Sequence, residues 1–220
     1  MTPLIDATEM YVRTVWELEE EGITPIRARL VERLNVSAPA VSETVARLEE
    51  DGLLVVHPDR TLGLTEAGSE LAVSVMRKHR LAERLLTDVV GLAWEHVHTE
   101  ACRWEHVISD RVEARLVELL DKPETCPHGN PIPGLATDAR PGRLETLSEA
   151  AQRGEPVVVE RISEKLQGDE GAMRRLREAG LRPGGVVVPH VAGGSVLTDV
   201  GGGSLELAPD EAEFVYVSPA

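Results

Sequence analysis

The chain has 220 residues, of which 28% are charged, and a formal net charge of -15 at pH 7. Its length fits one large domain or two to three small ones, and no apolar run approaches the roughly 18 residues of a membrane span. The start Met-Thr-Pro-Leu-Ile-Asp has neither a basic stretch nor a long apolar core, so we expect no signal peptide and a cytoplasmic protein. Taken alone, the acidic balance argues against a nucleic-acid partner.

The N-terminal part nevertheless has the pattern of a helix-turn-helix followed by a hairpin. Thr24 and Pro25 supply an N-cap and a first-turn proline for a short helix, and Gly52 ends the next one. The predicted elements are helix 4–21, helix 26–34, turn 35–37, helix 39–50, strand 53–57 and strand 61–64. This order predicts a winged helix-turn-helix domain over residues 1–73, whose second short helix enters the major groove of DNA.

Local charge supports this reading, because a DNA-binding surface needs only a local basic footprint. Between Thr24 and Arg47 there are four arginines and two acids. The exposed face of the second short helix offers mainly short polar groups and one arginine: Ser37, Pro39, Ser42, Glu43, Thr44 and Arg47. Hydroxyls and arginine can hold phosphates, whereas the Glu43 carboxylate is repelled by phosphates but can accept a hydrogen bond from a cytosine amine.

A second feature is a set of metal-ligand side chains at helical spacing. They are His79 and Glu83, then His98, Cys102, Glu105 and His106, with Met10 far upstream. Residues 97–108 read as uninterrupted helix, on which the last four side chains fall within an arc of about 120° and can converge on a metal ion. The alternative is an acidic, solvated helix without a metal.

The remaining chain divides into a helical and a β-rich part. Residues 71–120 read as helix, with more apolar side chains than two helices can bury, which predicts a dimer interface. Residues 121–147 are rich in proline and glycine and predict a polyproline-like linker. From Pro156 short strands and glycine turns predict a small β-barrel without convergent catalytic groups, so no enzyme activity is expected. We place the helical dimerisation and metal-binding domain at 74–140 and the Src-homology-like barrel at 141–220.

Three stretches carry a family resemblance: Met76-Arg-Lys-His-Arg-Leu-Ala-Glu-Arg-Leu-Leu86, His98-Thr-Glu-Ala-Cys-Arg-Trp-Glu-His106 and Gly129-Asn-Pro-Ile-Pro-Gly134. The chain resembles, over nearly its whole length, the iron-dependent repressors of the diphtheria toxin repressor family found in actinobacteria. The resemblance implies a regulatory metal site formed by Met10, Cys102, Glu105 and His106. It also implies an ancillary site formed by His79, Glu83, His98 and a barrel acid that matches Asp169, although Ala172 stands where a glutamine is expected.

For DNA, the resemblance adds Arg27 and Arg60 to the candidate contacts, and Glu43 stands where the family has a base-reading glutamine. It implies a homodimer on a palindromic operator, with room for two dimers per operator. Metal binding would join the first helix to the dimerisation helix and set the two recognition helices about 34 Å apart. The expected function is a metal-activated repressor of iron homeostasis genes.

The donor types agree with iron(II) as the co-repressor, because thioether, thiolate, imidazole and carboxylate together suit a late first-row divalent ion. Cobalt, nickel, zinc or manganese can substitute in vitro, so availability in the cell selects the ion. Two alternatives remain open: a manganese-responsive repressor, and a metal-independent winged-helix regulator that senses oxidation through Cys102. A metallohydrolase is disfavoured, because no distinct general base accompanies the ligands.

Overall fold

The computed structural model describes residues 7–136, 144–201 and 203–220. The chain divides into two compact units. The first is Met1–His79 with Arg103–Ser109, and the second is Arg80–Cys102 with Asp110–Ala220. The predicted start of the first helix at residues 4–6 and the predicted boundary between residues 140 and 141 lie outside the described residues.

The first unit contains the predicted winged helix-turn-helix. Its elements are α1 (Ala7–Glu20), α2 (Arg27–Leu34), α3 (Ala38–Glu50), β1 (Leu54–Val56), β2 (Leu62–Leu64) and most of α4 (Glu66–Arg84). The strands form an antiparallel wing in which Val55 lies opposite Gly63. The core draws on all three short helices and the wing, through Tyr11, Val15, Leu18, Leu30, Val41, Val45, Leu48, Leu54 and Leu62.

The N-caps of α2 and α3 differ from the predicted one at Thr24. The Ser37 hydroxyl accepts from Ala40 N at 3.4 Å and caps α3, which begins at Ala38. The predicted cap at Thr24 is wrong, because α2 has Ile26 at its N-cap with no side-chain hydrogen bond. The backbone of Ile26 instead forms a bridge with Thr61 of the wing. Pairing with a distant strand thus decides where this helix begins.

Helix α4 continues into a π-helical segment (Leu85–Val90), followed by α5 (Trp94–Trp104) and α6 (Asp110–Leu119). The predicted uninterrupted helix over 97–108 is therefore wrong: α5 ends at Trp104, and a turn follows. No glycine or proline marks this end. Glu105 just after it is buried against Arg13 and His79, a tertiary pairing that helix periodicity does not contain. Glu105 and His106 consequently do not share a helical face with His98 and Cys102.

The C-terminal part of the second unit is an antiparallel sheet, which confirms the predicted β-rich C-terminal part. Its strands are β3 (Glu145–Thr146), β4 (Val157–Ile162), β5 (Val186–Ala192), β6 (Ser195–Val200), β7 (Gly203–Leu207) and β8 (Val215–Pro219). Their order across the sheet is β3-β8-β4-β5-β6-β7. Four helices accompany them: α7 (Leu147–Ala150), α8 (Glu164–Gln167), α9 (Glu170–Ala179) and α10 (Pro209–Ala212). Trp94 of α5 packs into the same core as these strands.

The proline-rich segment is better ordered than the predicted linker. Cys126 N donates to Asn130 O at 2.8 Å, and Ile132 N donates to Glu124 O at 2.8 Å. Thr125 and Pro131 form an isolated antiparallel β-bridge. The description as a polyproline linker is thus wrong for residues 124–132, because their backbone groups pair with one another. Residues 137–143 of the predicted linker lie outside the described residues. Within the described ranges, no helix has both the length and the apolar character needed to cross a membrane.

Candidate metal centres and nucleic-acid interface

In the first unit, the carboxylate of Glu105 is the centre of a buried polar cluster. Arg13 of α1 donates from Nη1 to both of its oxygens, at 2.6 and 2.8 Å. His79 Nδ1 of α4 lies 2.6 Å from Glu105 Oε2. Arg13 also donates from Nε to Glu17 Oε1 at 2.7 Å. Glu105 is therefore fixed by two helices of the winged-helix unit.

His106 completes this cluster. Its Nδ1 pairs with Glu9 Oε2 of α1, and its Nε2 lies 3.2 Å from Glu105 Oε1. This Nε2 is buried and makes no hydrogen bond to any described residue. Met10 lies next to Glu9 on α1. The His106 Nε2 atom makes no hydrogen bond within the described residues and faces the Glu105 carboxylate. A metal ion between these two groups would fit this arrangement.

Electrostatics keep Glu105 ready to bind a cation. Burial alone would raise the pKa of Glu105, but the Arg13 guanidinium and, after it, His79 and His106 outweigh burial and lower the pKa to about 2. Glu105 is thus ionised throughout the physiological range. An ionised carboxylate beside an imidazole nitrogen that makes no hydrogen bond to a described residue suits a divalent metal ion.

The second unit contains a separate group of possible ligands, Glu83, Cys126 and His128. One donor atom from each lies within 4.8 Å of the others. His128 Nδ1 is 3.4 Å from Glu83 Oε2, and His98 Nδ1 is 3.5 Å from Glu83 Oε1. Glu83 and His98 are among the ligands predicted from the sequence, whereas Cys126 and His128 are not. The spacing Cys126-Pro-His128 could have indicated two ligands. No local sequence pattern indicates that these two residues lie near Glu83 of α4.

The chemistry of this group also fits a metal ion. Both ring nitrogens of His128 are buried and make no hydrogen bond within the described part of the chain. The ring lies against Trp94, with 4.9 Å between the centroids. Burial, and next the charge of Glu83, raises the pKa of the Cys126 thiol. A cation bound here would favour the Cys126 thiolate and so counteract the raised pKa. It would also provide the buried His128 imidazole with a partner.

The loop that carries Cys126 and His128 is held from two sides. Arg80 of α4, fully buried, donates to Glu164 Oε1 at 2.7 and 3.0 Å and to the Pro131 carbonyl. Asn130 Nδ2 donates to the Ile162 carbonyl of β4 at 2.7 Å, and Ile162 N donates to the His128 carbonyl at 2.9 Å. The loop position is therefore set by α4 and by the sheet together.

The predicted ancillary acid Asp169 lies at the N-terminus of α9. Its Oδ1 accepts from Ala172 N at 2.9 Å and caps α9. The neighbouring Glu170 faces α5 instead: its Oε2 lies 3.0 Å from His96 Nδ1, and its Oε1 accepts from the Thr99 hydroxyl at 3.4 Å. Asp169 Oδ1 is thus engaged as a helix cap, and the ligand role of Asp169 stays a prediction. Cys102 Sγ, on α5, lies 3.4 Å from His98 Nε2.

The predicted DNA contacts lie on α2, α3 and the wing of the first unit. Those on or next to α3, except the half-buried Thr44, are exposed: Ser37, Pro39, Ser42, Glu43 and Arg47. Arg27 is half-buried at the start of α2, and Arg60 is exposed in the wing turn with φ of 70°. Arg47 pairs weakly with Asp51 at 3.6 Å and with the Thr8 hydroxyl at 3.4 Å. These predicted DNA contacts are thus accessible on the surface of the first unit and are not part of its core.

Family comparisons agree with this architecture. Residues 3–62 match the iron dependent repressor N-terminal DNA binding domain, and residues 65–134 match the iron dependent repressor metal binding and dimerisation domain. Residues 145–219 match the FeoA domain. A winged helix joined to a metal-binding helical region and a small sheet defines a metal-dependent transcriptional repressor.

Full-length relatives identify the family. The chain is 52% identical over 224 residues to the iron-dependent repressor IdeR of Mycobacterium tuberculosis, covering 96% of each. It is 47% identical over 223 residues to the diphtheria toxin repressor of Corynebacterium diphtheriae, covering 99% of each. The chain belongs to the iron-dependent repressor family, whose members bind DNA and repress transcription in response to metal.

Solved structures share the fold. A manganese-dependent transcriptional repressor in complex with manganese superposes with a TM-score of 0.83 at 30% identity, covering 97% of this chain and 100% of that one. ScaR with bound Zn2+ gives 0.78 at 28% identity, covering 97% and 99%. The structural neighbours thus include proteins with bound metal, manganese in the first and zinc in the second.

Proposed function

We propose that this protein is an iron(II)-activated repressor of iron homeostasis genes, with Met10, Cys102, Glu105 and His106 as regulatory ligands. The observation that carries the proposal is that Glu105 and His106, in the turn after α5, contact α1, the helix that bears Met10. Glu9 and Arg13 of α1 both bind this pair. A metal ion held here acts directly on the winged-helix core, because Tyr11, Val15 and Leu18 of α1 pack into it.

A second ion is proposed at Glu83, Cys126 and His128. The sequence-derived ancillary set of His79, Glu83 and His98 shares Glu83 with this group, and His98 contacts the same carboxylate. The thiol, imidazole and carboxylate of this group suit the same late first-row ions as the regulatory set. Two centres with similar preferences allow the response to depend on the filling of both.

Iron(II) is preferred over manganese on ligand chemistry. The thioether of Met10 and the thiol of Cys102 are soft donors, whereas manganese favours oxygen. The manganese-dependent repressors among the structural neighbours keep a manganese-responsive function as the second candidate. Cobalt, nickel and zinc are expected to activate the isolated protein as well, since affinity follows the Irving–Williams order.

The active species is proposed to be a cytoplasmic homodimer on a palindromic operator. Several apolar side chains of the second unit are exposed in the single chain, which supports a covered surface in an oligomer: Val89, Val90, Val112 and Leu119. The proposed DNA contacts are Arg27, Ser37, Pro39, Ser42, Glu43, Thr44, Arg47 and Arg60. The division into domains at 1–73, 74–140 and 141–220, and the binding of two dimers to one operator, are part of the same proposal.

The test is an anaerobic titration of iron(II) that follows binding to a pool of palindromic duplexes, with chelator, manganese and cobalt in parallel. We expect metal-dependent binding that Cys102→Ala abolishes. Cys126→Ala is the matched control, because it removes the other thiol and should shift the metal response without abolishing it. Equal DNA binding in chelator would exclude metal activation and favour a metal-independent regulator.

Oxidation is tested in the same assay. A redox regulator that uses Cys102 would lose DNA binding on peroxide treatment even without metal, and a reductant would restore it. A metal-activated repressor should bind DNA in chelator neither before nor after peroxide.

A further inference from the structure

The recognition helix α3 has one charged side chain at the centre of its exposed face. Its buried side is formed by Val41, Val45 and Leu48. With about 100° per residue, Glu43 lies roughly 200° around the helix from Val41 and therefore almost opposite this stripe. Glu43 is exposed. It is the side chain in the first half of α3 that points most directly away from the core.

Among the described residues, the Glu43 carboxylate also has no partner. Within the described residues it takes part in no hydrogen bond or ion pair. Nearby acids are engaged: Glu32 pairs with Arg29 at 2.8 Å, and Glu49 accepts from Val56 N at 3.1 Å. An ionised carboxylate on a surface that meets phosphates is unfavourable unless the nucleic acid itself supplies a donor.

The neighbours of Glu43 favour close approach to a groove. One turn away on either side lie Pro39 and Ala46, and Ser42 precedes it. These three side chains are short. Glu43 is longer than each of them and therefore extends further towards a base edge. Ser42 and Arg47 flank it with a hydroxyl and a guanidinium that suit phosphate oxygens. Arg47 is available for this role because its exposed pair with Asp51, at 3.6 Å, is weak.

We propose that Glu43 is a specificity-determining residue that selects cytosine at one position of each operator half-site. A carboxylate only accepts hydrogen bonds. In the major groove, cytosine presents the N4 amine as a donor, whereas guanine presents two acceptors and thymine presents O4 and a methyl group. Adenine offers the N6 amine but places the N7 acceptor beside it. Cytosine is therefore the base edge that a carboxylate tolerates best.

The inference deepens the proposed function, because it rests on α3 entering the major groove. The experiment uses the full-length protein, with cobalt(II) in excess, and a pool of palindromic duplexes randomised within each half-site. The bound fraction is sequenced for wild type, Glu43→Ala and Glu43→Gln. Glu50→Ala is the matched control, because it removes another exposed carboxylate from the same helix, two turns further on.

We expect wild type to prefer cytosine at one half-site position by on the order of 10-fold. Glu43→Ala should lose this preference, Glu43→Gln should move it towards adenine, and Glu50→Ala should leave it unchanged. A cytosine preference that survives in Glu43→Ala, or the absence of any position whose preference depends on Glu43, overturns the inference. Wild type that binds no duplex with metal contradicts the proposed function instead, so the two failures are distinct.

Discussion

Arg13 and Glu105 form a buried ion pair in which one guanidinium nitrogen bonds both carboxylate oxygens, at 2.6 and 2.8 Å. Their side chains are 6% and 0% exposed. The pair joins α1 to the turn that carries two proposed metal ligands, and it does so through protein groups alone. This contact therefore holds a proposed ligand in place before any metal ion arrives.

Arg13→Met should destabilise the metal-free protein by about 3 to 5 kcal/mol, because it leaves Glu105 and Glu17 charged and buried without their cation. The measurement is the free energy of unfolding in urea, with chelator present. Arg29→Met is the control: Arg29 forms an exposed pair with Glu32, with side chains 51% and 59% exposed. It should cost no more than about 1 kcal/mol. Equal effects of both variants would show that the Arg13 pair contributes little.

The same pair predicts a dependence on pH. The pKa of Glu105 is lowered from 4.5 to about 2, so the group stabilises the fold fully above its unfolded value. This contribution should be lost as the pH falls from about 4.5 towards 2. Urea midpoints measured in chelator along this range should fall more steeply for wild type than for Arg13→Met. Parallel curves would contradict the assignment, since carboxyls elsewhere titrate in both proteins.

His128→Phe should separate metal binding from folding. The phenyl ring keeps the contact with Trp94 and removes two buried nitrogens that have no hydrogen-bond partner among the described residues. We expect the metal-free protein to gain roughly 1 kcal/mol, because an unsatisfied polar group no longer has to be desolvated. We also expect one fewer cobalt ion per chain in equilibrium dialysis.

His190→Phe is the control for this substitution, because His190 is exposed on β5. It should change neither the number of bound ions nor the stability of the metal-free protein. A lower metal-free stability of His128→Phe would mean that the imidazole already has a stabilising role without metal.

Gly129→Ala should damage the second centre without touching a ligand. Gly129 has φ of 87°, and a Cβ there would lie 2.0 Å from the Glu160 carbonyl oxygen. The matched control is Gly154→Ala, where φ is 67° but the nearest atom lies at 4.0 Å. Both should incur about 1 to 2 kcal/mol of conformational strain. The clash should add about 1 to 3 kcal/mol for Gly129→Ala alone.

Unfolding in urea measures this difference, and dialysis against cobalt measures ion binding. Gly129→Ala should weaken binding at Glu83, Cys126 and His128, since the loop must move away from β4. Equal stability losses in the two variants would show that the loop accommodates the methyl group.

Elements with local causes could be predicted from the amino-acid sequence. Apolar periodicity predicted α3, and glycine turns predicted the breaks between the strands of the sheet. The stretches around His79, His98 and Cys102 carried the family resemblance. The full-length relatives confirmed this resemblance. These features are local because each depends on neighbouring residues and on backbone geometry.

The places where the proposed ligands meet depend on tertiary contacts. Helix periodicity predicted that α5 continues through His106. In the structure α5 ends at Trp104, and the next residue, Glu105, is buried against Arg13 and His79. Cys126 and His128 lie in a segment that composition predicted to be a linker. They meet Glu83 because Arg80 and Ile162 hold their loop in place. Such contacts join residues far apart in the chain, and their energy comes from burial and pairing that no local pattern records.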